Sequence, residues 1–77
     1  MLEKVQMALY EYARENFKYR KEAVFIVIGW ESFGKLYDEC MQTGNSMLDL
    51  YNPGRIRFRG LPMYRTVDIK DDQIKIG

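Results

Sequence analysis

Four arginines form the stretch of this chain best suited to chemistry. Arg55, Arg57 and Arg59 alternate with Ile56 and Phe58, and Arg65 follows soon after. In an extended strand, alternate side chains point to one face and repeat about every 7 Å. The pattern predicts that Ile56 and Phe58 face a core while the three guanidinium groups face outward. Arg65 is expected to join them from the neighbouring strand. Guanidinium groups in a row suit the carboxylates of an acidic protein partner, or the phosphates of a nucleic acid. Tyr64 and Tyr51 are placed to add ring stacking of the kind single-strand binders use. Leu50, beside Tyr51, belongs to an apolar segment that either packs over one edge of the core or contacts a partner. The plainest alternative is a solvated sheet face, with some arginines paired to Asp68, Asp71 or Asp72.

The remaining reactive residue types argue against catalysis. Histidine is absent and cysteine occurs once. Ser–His and Cys–His nucleophile systems are therefore excluded, as are zinc sites built on histidine or on four cysteines. Cys40 lies on an apolar stripe beside Asp38 and Glu39, so it reads as a small buried hydrophobe rather than an activated thiol. Asp68, Asp71 and Asp72 cluster without the spacing of a calcium loop. Glu31 and Glu39 make no convincing acid pair. Gly29-Trp30-Glu31-Ser32-Phe33-Gly34 matches neither a dinucleotide fingerprint nor a phosphate loop with its lysine. It reads as a tight strand-to-helix turn anchored by Trp30. No cofactor, no metal and no enzymatic activity are expected.

The elements that must position these residues follow from periodicity. Leu2, Val5, Leu9, Tyr12/Ala13 and Phe17 recur at helical spacing and predict a helix over 2–20. Ala23–Ile28 is short, β-branched and continuously apolar, which predicts a central strand covered on both faces. Phe33, Leu36, Tyr37, Cys40 and Met41 predict a second helix over 30–43, stopped by Gly44-Asn45. Gly34 beside that stripe suggests close approach to another backbone. Residues 45–54 read as a connection ending in the turn signal Asn52-Pro53-Gly54. Strands are expected at 55–59, 63–69 and 74–76, joined as an antiparallel meander, with a turn at Gly60-Leu61-Pro62. The predicted order is α-β-α-β-β-β. It implies one two-layer α+β domain over residues 1–77, with both helices on one face of a mainly antiparallel sheet.

Composition bounds the rest. The chain has 77 residues, 47% of them hydrophobic and 30% charged, with a formal net charge of +1. Near-neutrality hides an uneven distribution. Residues 1–54 carry six Lys/Arg against eight Asp/Glu, whereas Arg55, Arg57, Arg59 and Arg65 stand in a stretch without acids. The longest apolar run, 23–28, is too short for a transmembrane helix. Lack of a secretory pattern and of a disulfide pair suggests the cytoplasm and no membrane association. A chain of this size buries only about 60% of its unfolded surface. Such a thin core predicts help from a second copy or another protein.

Residues 24–77 also resemble part of the shell-forming domain of HK97-type tailed-phage major capsid proteins. The matching stretches are Val24-Phe25-Ile26-Val27-Ile28 before the Trp30–Met41 helix, then Gly60-Leu61-Pro62-Met63-Tyr64, Val67-Asp68-Ile69 and Ile74-Lys75-Ile76-Gly77. The family's N-terminal arm, extended loop and long spine helix have no room in 77 residues. The resemblance implies a phage or prophage origin and a role in assembly or interaction. The sequence thus predicts a small non-enzymatic interaction protein that self-associates or docks on a protein partner. A nucleic-acid-binding module using Arg55, Arg57, Arg59 and Arg65 is the alternative.

Overall fold

The structure is a computed structural model that describes residues 1–44, 47–50, 55–70 and 73–77. Helix α1 spans Leu2–Asn16 and strand β1 spans Ile26–Gly29. Helix α2 (Trp30–Thr43) follows, then strands β2 (Leu48–Asp49), β3 (Arg57–Phe58), β4 (Leu61–Thr66) and β5 (Ile74–Ile76). The five strands form one sheet in the order β2-β3-β4-β1-β5. The α+β class and the mainly antiparallel sheet match the sequence reading.

The strand order does not. Strands β3 and β4 pair antiparallel, but β4 and β5 are not neighbours. Strand β1 lies between them, parallel to β4 and antiparallel to β5. The expected meander is broken because the apolar β1 takes the place where both of its edges are paired. Parallel neighbours need a long crossover, and here α2 with β2 and β3 supplies it.

Both helices lie on one side of the sheet. The core consists of Val5 from α1, Phe33, Leu36 and Cys40 from α2, and Ile26, Ile28, Leu48, Phe58 and Met63 from the strands. Register explains this selection. Ile26 pairs with Met63, and Phe58 lies between Leu48 and Leu61, so all these side chains leave the sheet on the helical side. Leu48 is buried, and Met47 and Leu50 pack against the core. This part of the expected connection is therefore core structure, with a two-residue strand in it. Asn45, Ser46 and 51–54, including Tyr51 and the Asn52-Pro53-Gly54 signal, fall outside the described residues.

Several local expectations are corrected. Helix α1 ends at Asn16 and tightens into a 3₁₀ turn over Phe17–Tyr19. Arg20, at φ 53°, then stops it in the left-handed conformation. The tightening rotates Phe17 off the buried stripe and leaves it 81% exposed. Strand β1 starts at Ile26, later than expected, and Val24 and Phe25 remain exposed. Strand β4 covers 61–66 rather than 63–69, and the turn before it is Arg59-Gly60, with φ values of 52° and 82°. Two successive positive φ values match the primed turns that suit two-residue hairpins.

Pro62 lies inside β4 without cost. It sits opposite Arg57, while Met63 N–H donates to the Ile56 carbonyl one residue later. In an antiparallel ladder such pairs alternate, so the Pro62 nitrogen points away from β3. On its other side the pairing with β1 begins only at Met63. No ladder bond is lost. Gly34, by contrast, approaches no other backbone: a Cβ there would meet nothing within 4 Å. Gly44 behaves as expected, capping α2 at φ 63° with its N–H donated to the Cys40 carbonyl.

Candidate partner-binding face

The sheet face turned away from the helices follows directly from the same registers. Val27 pairs with both Tyr64 and Lys75, and Arg57 pairs with Pro62 and Asp49. These side chains therefore share the face opposite Ile28, Met63 and Phe58. No described element covers them. Tyr64 is 58% exposed, Arg57 and Lys75 are exposed, and Val27 is half-buried. The expectation that β1 is covered on both faces thus fails for the Val27 side. Two helices suffice for one face of the sheet, and both are used on the same face.

An aromatic pair on this face joins β4 to the residue before β1. The rings of Phe25 and Tyr64 meet edge-on, with centroids 6.2 Å apart and planes at 68°. Phe25 is fixed by its backbone, which exchanges both hydrogen bonds with Gly77. Its ring lies where a Cβ on Gly77 would stand, so the glycine leaves the ring its place. Beside Tyr64, a groove of about 230 Å³ is lined by Arg55, Ile56, Arg57, Pro62, Met63 and Tyr64. Its lining combines cationic, aromatic and aliphatic side chains.

The arginine ladder is therefore only partly assembled. Arg55 and Arg57 line the groove. Arg57 Nη1 also donates to the Gly60 carbonyl at 3.3 Å, which turns its guanidinium toward the hairpin. Arg59 is not a ladder rung, because it occupies the hairpin turn in the left-handed conformation. Its N–H donates to the Met47 carbonyl at 2.8 Å and ties the hairpin to the residue before β2. Arg65 is on the other side of the sheet. It pairs in register with Ile28, and its guanidinium lies 4.2 Å from the centre of the Trp30 ring and 5.0 Å from that of Phe33. The attraction is between the cation and the negative ring face. Trp30, expected to anchor the strand-to-helix turn, is half exposed and serves as the platform for Arg65.

Of the other sites named from the sequence, Leu50 is half-buried against the core rather than projecting. Cys40 is 1% exposed. Burial, and secondarily the negative charge of Glu39, push its thiol above the ordinary value. That agrees with an inert buried hydrophobe. Glu39 accepts hydrogen bonds from the Met1 ammonium at 3.0 Å and the Leu2 N–H at 2.7 Å. Those contacts, the ammonium first, hold its carboxyl below the ordinary value. Glu39 thus joins α2 to the start of α1 and is committed to structure. Among the described residues no three His, Cys, Asp or Glu side chains come together as metal ligands. Asp71 and Asp72 lie outside those residues. No helix among them is long and apolar enough to cross a membrane.

The sequence reading missed Phe25 and Lys75 as members of the open face. Their signal was parity: both alternate with residues that belong to the core, but only the strand order brings them beside Tyr64. Compared with protein-family models, curated proteins and solved structures, the chain gave no match.

Proposed function

We propose that this protein is a small non-enzymatic interaction module that binds an acidic segment of a protein partner on its open sheet face. The observation that carries the reading is the groove between Arg55, Arg57 and Tyr64 on a face that no described element covers. A planar guanidinium donates two parallel hydrogen bonds to a carboxylate. Tyr64 and Phe25 supply the aromatic surface typical of interface centres. Lys75 adds a third cation to the same face, on which Asp49 stands in register with Arg57. The resemblance of residues 24–77 to phage capsid proteins adds direction: the module belongs to assembly in a phage or prophage, acting in the host cytoplasm. Single-stranded nucleic acid is the alternative occupant, with Tyr64 as its stacking platform.

The experiment is a calorimetric titration with a synthetic Glu/Asp-rich peptide and, separately, with a single-stranded oligonucleotide, each at several salt concentrations. The expected result is peptide binding that weakens as salt rises. The Arg55→Ser, Arg57→Ser double variant should lose it with an unchanged melting temperature. Tighter binding of the oligonucleotide would favour the alternative. No peptide binding at low salt, or binding indifferent to the double variant, would overturn the reading.

A further inference from the structure

We propose that the outer surface of α2 is a self-association face that receives α2 of a second copy, side by side and parallel. Trp30, Gly34, Tyr37 and Met41 recur at helical spacing along a strip beside the buried face of Ser32, Phe33, Leu36 and Cys40. Trp30 is 50% exposed, Tyr37 38% and Met41 57%. The apolar face of the helix therefore continues past its buried part into solvent.

Gly34 lies in the middle of that stripe, and a Cβ there would meet nothing within 4 Å. Nothing inside the protomer requires a glycine at this position, and glycine weakens a helix interior relative to alanine. The result is a notch, flanked by Trp30 on one side and Tyr37 and Met41 on the other, into which a facing backbone or ring can settle.

Charge selects the occupant. Arg65 lies over Trp30 and Phe33 on one flank of the stripe. Successive residues of a helix are about 100° apart, which places Glu31 and Asp38 on the other flank. A two-fold axis running along the helix brings the basic flank of each copy to the acidic flank of the other. Antiparallel pairing would set like charges together. The stripe is thus complementary to itself in the parallel arrangement. Trp30, Tyr37 and Met41 together expose roughly 300 Å², which is the size of an apolar centre for an interface of about 800 Å² per partner.

This surface belongs to the helical layer and shares no residue with the arginine groove, so it stands independently of the proposed ligand. The test is sedimentation equilibrium of the whole chain from low to high micromolar concentration. The wild type should dimerise. Gly34→Gln should keep or raise the melting temperature of the monomer and yet weaken the dimer by about tenfold or more. Met41→Glu, at an exposed position, should weaken it similarly, and Arg57→Ser should leave it unchanged. A wild type that stays monomeric at high micromolar concentration would overturn the proposal. So would a dimer that survives both α2 variants, or one lost through Arg57→Ser instead.

Discussion

The two faces of the sheet are built from the same strands and treat their residues oppositely. In β1, Ile26 and Ile28 have no exposed surface while Val27 between them is half-buried. In β4, Met63 is 4% exposed and Tyr64 beside it 58%. The closed face is built from Ile, Met, Phe and Leu, whereas the open face mixes Val27 and Tyr64 with Arg57, Lys75 and Asp49. Helices lie over the first and over none of the second among the described residues. A short chain with two helices has enough apolar cover for one side, and the other side keeps aromatic and cationic residues at the surface. Exposed aromatics beside cations are what binding surfaces use, because one part of the contact removes apolar area from water and another sets charge complementarity.

Paired substitutions sharpen that contrast. Phe58→Ala on the closed face should lose about 3–5 kcal/mol, enough to unfold much of a domain of this size. Tyr64→Ala on the open face should cost about 1 kcal/mol or less. Denaturant titration followed by the fluorescence of Trp30 measures both. Similar losses for the two would mean that the open face is packed after all.

A smaller effect is expected at the hairpin. Arg59 holds a positive φ that an arginine side chain disfavours and that asparagine adopts more readily. Arg59→Asn should therefore stabilise by about 1 kcal/mol. A loss of stability on that change would mean that the arginine side chain makes contacts that offset the strain.

The smallest effect concerns the joint between the helices. Glu39 has a lowered pKa in the folded protein. Its contribution to stability is therefore fully present above the ordinary carboxyl range and is lost as pH falls through the lowered value. Relative to Glu39→Gln, the wild type should be the more stable at neutral pH, and the difference should start to shrink as pH falls into the ordinary carboxyl range and vanish only below the lowered value. Thermal melts of both proteins across that range check it. A constant difference would mean that the carboxylate charge is not what joins α2 to Met1.

Local pattern foretold much of this arrangement. The alternation of Ile56 and Phe58 with arginines placed the phenylalanine correctly in the core. The Gly44 stop and the buried Cys40 also followed from helical spacing. The failures come from long-range pairing and from turn chemistry. Nothing local in Ala23–Ile28 or 61–66 reveals that these segments run parallel and adjacent, so the meander was the natural guess. The turn begins one residue before the Gly60 that advertises it, because Arg59 also takes a positive φ that its residue type does not signal. Arg65 lies on the face opposite the one its neighbourhood to the ladder suggests, and Met63 two residues earlier is apolar and shares its parity. Reading parity back from Met63 would have separated Arg65 from Arg57.

Binding to the open face is tested most directly by an NMR titration of the wild-type chain with the Glu/Asp-rich peptide, following backbone amides. Shifts should concentrate at Phe25, Val27, Arg57 and Tyr64, with Trp30, Tyr37 and Met41 unmoved. Shifts gathered on α2, or none at all, would contradict it.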